Sequence, residues 1–286
     1  MDSDEDVFMM KVHLAVADAA SGESGNRHTA RGPVETALPF AAVRRVYGSR
    51  CCRAMRKSES SFALLVHTLR PILPFGGVSA ETRVSMSLRY FAGASYLDVR
   101  SIHGVSKTTF YDCVWDFVDA MLLAPGVQMR IPHWNADWRR KTAAGFQARV
   151  DNPLINVIGS LDGIDIRQEM PSYTEVICLK DYWNRKGFFA LNFQAICDHN
   201  YEFVCMSWRT LSSTHVIAEA LYIAAEEAYG DRELLATPWP REGRGDEWRD
   251  AYSFYQWSAR MHIEQALGQL VWRWGILWRP LRMLFT

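Results

Sequence analysis

Residues 154 to 168 read LINVIGSLDGIDIRQ, an apolar run that ends among acids. A continuous run of this length, rich in Ile, Leu and Val, reads as a buried strand. GFFALNFQAICD (187 to 198) follows as a second strand and YEFVCMSWRT (201 to 210) as a third, with His199 and Asn200 in the tight connection between them. ALYIAAEEAY (220 to 229) is a shorter apolar run. The stretch ARMHIEQALGQLVWRWGILWRP (259 to 280) then reads as a helix, because Ile263, Leu267, Leu270, Val271 and Trp274 recur at i, i+4, i+7, i+8 and i+11. Hairpin-linked strands, a further strand and a long helix predict an α/β fold with a mixed sheet covered by helices.

Upstream the pattern is helical. ETRVSMSLRYFAGA (81 to 94) and SYLDVRSIHGVSKTTFYDCVWDFVDAML give three short helical segments, with Gly104 breaking the chain between two of them. Ser106 is a good N-cap, and Phe110, Val114, Phe117, Val118 and Met121 form an apolar stripe behind it. This matches a helix-turn-helix, in which Lys107, Thr108, Thr109 and Tyr111 would face a DNA groove; plain packing of a trihelical unit fits the pattern equally well. AAVRRVYGSRCCRAMRK (41 to 57) carries Arg44, Arg45, Arg50, Arg53, Arg56 and Lys57 without an acid, a patch that could grip phosphates or simply be a solvated helix face. Residues 1 to 36, acidic and then rich in Ala, Gly and Ser, read as a disordered tail. The expected organisation is that tail, a helical region over 37 to 124, a link with Pro125, Pro132 and the basic run Arg139, Arg140, Lys141, and an α/β domain over 150 to 286.

The chain has 286 residues, 49% of them hydrophobic, enough for a large core. Lys plus Arg and Asp plus Glu are equal at 32 each, so any electrostatic footprint must be local. Six Cys without a CxxC pair suit reduced thiols of an intracellular protein and argue against zinc. No apolar run approaches a membrane span, so a soluble protein without membrane contact is expected.

Glu264 lies beside the apolar helix stripe, a costly place for a carboxylate unless a cation meets it. Arg260 is one candidate and a metal ion the other. Asp162 sits on the first strand, Glu226 and Glu227 at the end of the fourth, and Glu264 on the helix. Carboxylates that converge from different elements can hold divalent ions for phosphodiester cleavage, although a chain with 32 acids offers many such triples.

The strings GSLDGIDIR (159 to 167), YWNRKGFFALNFQAICD (182 to 198), SSTH (212 to 215), EEAY (226 to 229), LLATPWP (234 to 240) and FYQWSARMHIEQALGQLVWRWGILWRPLR (254 to 282) resemble, in order, those of the Harbinger-type DDE transposases, a group of DDE superfamily endonucleases that includes domesticated transposon-derived nucleases. The resemblance implies a ribonuclease H-like domain behind a helix-turn-helix and metal-dependent cleavage of DNA. Its catalytic and metal-binding acids would be Asp162, Glu226 and Glu264, with Arg260 at the family's Arg position. It also implies magnesium or manganese as cofactor, DNA and a separate DNA-binding protein as partners, and a nuclear location.

The chain departs from that pattern. Val216 follows SSTH where the family has Asp, and the aligned positions for the second acid, an Asp in the family, read Ala225 and Glu226. A helix-sized segment is missing between Val216 and Leu221, and the domain reads as C-terminally truncated at Thr286. A Glu reaches one methylene further than an Asp, and a misplacement of about 1 Å can cost on the order of a hundredfold in rate. Degenerate cleavage, or a remnant that binds DNA or a partner without chemistry, are the two expectations. Asp165 and Asp198 read as strand-end or turn residues, His215 and His262 lie outside the ligand set because magnesium rarely recruits His, and Trp272, Trp274 and Trp278 read as core and sheet cover.

Overall fold

The computed structural model describes residues 37–125, 127, 135–150, 154, 156–173, 176, 178–207, 222–229, 235–240 and 245–281. The expectations placed on the tail 1–36, on SSTH, His215 and Val216, on the segment up to Leu221 and on the last five residues lie outside them. The chain divides into two compact units.

The helical unit comprises the described residues of 37–128, 168–173, 176 and 272–281. Its helices are α1 (Phe40–Tyr47), α2 (Cys51–Met55), α3 (Glu59–Leu69), α4 (Ala80–Phe91), α5 (Tyr96–His103) and α6 (Lys107–Leu123). Serine caps start α3 through α6: the Oγ of Ser58, Ser79, Ser95 and Ser106 accepts from the backbone N–H of Ser61, Thr82, Leu97 and Thr109. Gly104 ends α5 with φ +64, a left-handed geometry that favours glycine. Helix α4 is the hub. Its Val84 and Leu88 pack with Met55, Leu69 and Phe117 in one core cluster, and its Met86 packs with Val99, Phe110 and Val114 in another. Between these clusters Ser85 and Ser87 are fully buried; their hydroxyls donate back to the carbonyls of Thr82 and Arg83, and they also meet His103 of α5 and the Cys113 carbonyl of α6. Buried Arg83 pairs with Asp116 of α6.

Residues 272–281 also belong to this unit. Gly275 packs so closely that a Cβ there would lie 2.7 Å from the Ala92 carbonyl, and Arg279 donates to the Gly93 carbonyl at 2.6 Å. Trp274 packs against the Phe117 cluster, but Trp272 and Trp278 are each 69% exposed. The expectation that all three tryptophans are core is corrected for these two.

The second unit comprises the described residues of 135–167 and 178–271. It is mixed α/β. Helix α7 (Ala136–Val150) precedes the strands β1 (Val157–Arg167), β2 (Ala190–Cys197), β3 (Phe203–Ser207), β4 (Tyr222–Ala224) and β5 (Leu235–Ala236), and α8 (Glu247–Arg273) follows. The sheet order is β3-β2-β1-β4-β5, with β1 to β3 antiparallel in sequence and β4 and β5 parallel to β1. The long apolar run is therefore central, as its burial demands. Leu161, Ile196, Ile223, Ala225 and Leu235 pack together as one cluster, while Val157 and Ala224 pack with Phe146 of α7 and Ala259 of α8 as another.

The basic run 139–141, expected in a link, lies within α7, a helix whose one large buried apolar side chain among its described residues is Phe146 at 1% exposure. Helix α8 buries Gln256, Ala259, His262, Ile263, Ala266 and Leu267. It ends at Arg273, so Trp274 lies beyond the helical stripe in which the periodicity placed it.

Candidate functional site

Parallel pairing sets the register of the acids. Ser160 of β1 pairs with Ala224 of β4, the last pair of that ladder; Asp162 lies two residues further along β1, and Glu226 two residues beyond Ala224, past the end of β4. Helix α8 is tied to the sheet twice. Ser160 Oγ donates to the Arg260 carbonyl at 3.1 Å, and the Gln256 side-chain amide donates to the carbonyls of Ala225 at 2.6 Å and Ala236 at 2.8 Å. These tethers hold α8 against the sheet so that Arg260 meets Asp162 in the middle of β1.

Arg260 joins two of the three predicted acids. Its guanidinium Nη1 lies 3.1 Å from Asp162 Oδ2, and its Nη2 lies 2.6 Å from Glu264 Oε1. Asp162 also accepts from the Gly163 N–H at 2.7 Å, which fixes the carboxylate plane. Glu226 is exposed and makes its presence felt through charge. Burial pushes the Asp162 carboxyl above its ordinary range; the Gly163 N–H and Arg260 oppose this, and the charges of Glu226 and Glu264 add to it. The fold thus brings Glu226 and Glu264 within electrostatic reach of Asp162, although they lie 64 and 102 residues from it in the chain.

A residue that sequence reasoning passed over belongs here. Tyr229, in the 3-10 turn Glu227–Tyr229, has its hydroxyl 3.3 Å from where a Cβ on Gly163 would stand. Its phenol is pushed up to about 12, first by burial and then by the charges of Asp162 and Glu226. It stays a neutral donor beside the acids. Nothing in the local string EEAY separates such a tyrosine from a packing one; only the fold of the turn does.

Among the described residues no three His, Cys, Asp or Glu side chains are grouped closely enough to hold a metal ion as they stand. The donor chemistry nevertheless suits a hard divalent cation, since the acids offer oxygen only, and a cationic group already sits between two of them. The remaining predicted residues are placed as follows. Asp198 is buried and caps the β2–β3 turn, accepting from the N–H groups of Asn200 and Glu202 at 2.8 and 3.0 Å. Asp165 meets Asn192 and, at 3.7 Å, Lys186. His262 is buried, stacked on Tyr201 and edge-on to Phe146, a core histidine outside the acid set.

In the helical unit, Lys107 and Thr108 stand on the first turn of α6, Lys107 half-buried and Thr108 exposed. The Thr109 hydroxyl meets Ser106 Oγ at 2.8 Å and so takes part in the cap. Tyr111 is half-buried against Tyr96 and Phe110. Arg50 and Arg53 are exposed; Arg56, left-handed at φ 54, lays its guanidinium over the Trp272 ring at 5.3 Å. Arg44 pairs with Glu59 at 2.7 Å, just past the acid-free stretch.

All six cysteines are free, and no helix among the described residues is long and apolar enough to cross a membrane. Comparison with family models, with curated proteins and with solved structures found no match to this chain.

Proposed function

We propose that the α/β unit is a DDE-type DNA endonuclease domain of ribonuclease H-like fold, derived from a Harbinger-type transposase and carrying a degenerate acid set, with a helix-turn-helix and the Arg50 to Arg56 cluster as its DNA contacts. The observation that carries the reading is the position of Asp162 in the middle of β1, with Glu226 just past the end of parallel β4 and Glu264 on α8 both acting on it through their charge. Three antiparallel strands followed by two parallel ones, with the first acid on the central strand, also support it.

Asp162, Glu226 and Glu264 would hold a magnesium or manganese ion, which when bound supplies charge neutralisation at a phosphate and a water of lowered pKa. The residues present have separate tasks. Asp162, held by the Gly163 N–H, is the fixed ligand of the site. Glu226, exposed and on a longer stem than the family's Asp, is the loosely placed one. Tyr229 offers a neutral hydroxyl beside the acids, and Gln256 and Ser160 keep α8 in register with the sheet. DNA is the substrate, the nucleus the site of action, and a separate DNA-binding protein the partner in this reading.

The second reading is a DNA- or partner-binding remnant without chemistry, favoured by the exposed Glu226 and by Arg260 occupying Asp162 and Glu264. A nicking assay on supercoiled duplex DNA with magnesium or manganese decides between them. Slow metal-dependent nicking that Asp162→Ala abolishes is the expected result. Salt-sensitive DNA binding with no nicking at any metal concentration would select the remnant.

A further inference from the structure

Arg260 is paired in a way that a helix-surface ion pair does not require. An exposed Arg–Glu pair at i, i+4 contributes only about 0.3 to 0.5 kcal/mol, and the order with the cation first is the less favourable one. Here the side chain is drawn inward to 14% exposure and reaches across to Asp162, 16% exposed, on a different element. Withdrawing a guanidinium from water is costly unless its donors are met by carboxylates, and Arg260 has two. It does not balance the site. Asp162 and Glu264 pair with the guanidinium and the charge of Glu226 also reaches Asp162, three carboxylates against one cation, which leaves a net charge of about −2 around Asp162.

We propose that Arg260 is a resident counter-cation that competes with divalent metal for Asp162 and Glu264, so that it sets the metal concentration at which the site fills. The inference rests on reading the three acids as a divalent-cation site. Its geometry explains why no ready-made ligand group is found among the described residues: the two carboxylates that would converge on an ion converge on the guanidinium instead. For an ion to take both, Arg260 must release them and turn outward along α8. It then stands beside the filled site as a cation able to meet a phosphate oxygen, so that release of the acids and approach of an anionic substrate are coupled.

The test is manganese binding by the full chain, followed through the loss of the free-ion electron paramagnetic resonance signal. Arg260→Gln is expected to bind manganese at least about tenfold more tightly than the unmodified chain, while its metal-free melting temperature falls because Asp162 and Glu264 lose their partner. Arg260→Lys, which keeps the charge but not the fork, should fall between the two. Guanidinium chloride at about 20 mM, far below denaturing levels, should weaken manganese binding to Arg260→Gln, and an equal concentration of sodium chloride should not; a merely structural arginine would give no such rescue. If the unmodified chain binds manganese, Asp162→Ala abolishes the binding, and Arg260→Gln binds equally or more weakly, the competition is overturned and the metal site stands. If neither the unmodified chain nor Arg260→Gln binds manganese, the metal site itself falls, and the competition with it.

Discussion

The Gln256 side-chain amide donates to the Ala225 carbonyl at 2.6 Å, linking a fully buried residue four positions before Arg260 to the backbone immediately before Glu226. The same nitrogen reaches Ala236 at 2.8 Å, so one side chain fastens α8 to the ends of both β4 and β5. Replacing it by Met keeps the volume but strands the Ala225 carbonyl, at about 1–3 kcal/mol for a buried polar group left unpaired, while the Ala236 carbonyl still accepts from the Ala225 N–H at 2.9 Å. Urea unfolding of Gln256→Met should therefore show a loss of about 1–3 kcal/mol. Ser160→Ala, which removes the single bond to the Arg260 carbonyl, should lose about 1 kcal/mol. A neutral Gln256→Met would mean that this amide adds nothing to the hold of α8 on the sheet.

Gly145 in α7 faces His199 of the β2–β3 turn so closely that a Cβ would lie 2.1 Å from the imidazole Cδ2. On an open helix face Gly→Ala stabilises by about 1 kcal/mol. In this chain it should instead destabilise by about 1–3 kcal/mol, because the ring must leave a place where it packs with Phe146. In a His199→Ala background the same substitution should become neutral or stabilising. That change of sign, measured as a double-mutant cycle, is the observation to seek.

His103 gives the helical unit a pH dependence of defined sign. It is fully buried, with Nδ1 2.7 Å from the Val99 carbonyl and Nε2 3.0 Å from Ser85 Oγ. Burial pushes its pKa below the ordinary 6.5, with the hydrogen bond to Val99 opposing. The unfolded chain then binds the proton more readily than the folded one. The contribution is complete above about pH 6.5 and is lost as the pH falls toward the depressed folded value. Melting temperatures from pH 8 to 5 should decline more steeply for the unmodified chain than for His103→Gln; parallel curves would remove His103 as the source.

How much of this was legible depends on where the determining contacts lie. The apolar run at 157–167 and the Ser106 cap with its Phe110, Val114 and Phe117 stripe are local patterns, and the structure has both. Helix α7 was not legible as part of the α/β unit, because Phe146 is the one large buried apolar side chain among its described residues and the rest of the helix is mostly small or charged. Strand β5, two residues long, exists only through its pairing with Ile223 and Ala224. The bond between Arg260 and Asp162 spans 98 residues, so the sequence could offer Arg260 only its neighbour Glu264. Tyr229 stood in the string EEAY with no role of its own; its place beside the acids comes from the 3-10 turn that brings its hydroxyl to Gly163.

The basic stretch at 41–57 carries a quantitative expectation for DNA. Each phosphate neutralised contributes about 0.9 to the slope of log binding constant against log salt. Arg50 and Arg53 are exposed and free to reach a backbone, whereas Arg56 spreads its guanidinium over Trp272 at 5.3 Å, a contact that competes with phosphate. Arg50→Ala and Arg53→Ala together should lower the slope by about two units on duplex DNA of any sequence, while Arg56→Ala alone should lower it by clearly less than one. In an Arg56→Ala chain the Trp272 ring loses its cover, and its emission should shift without a matching change in salt slope. An unchanged slope in the double variant would make the cluster a solvated helix face. DNA contact would then rest on Lys107 and Thr108 at the start of α6.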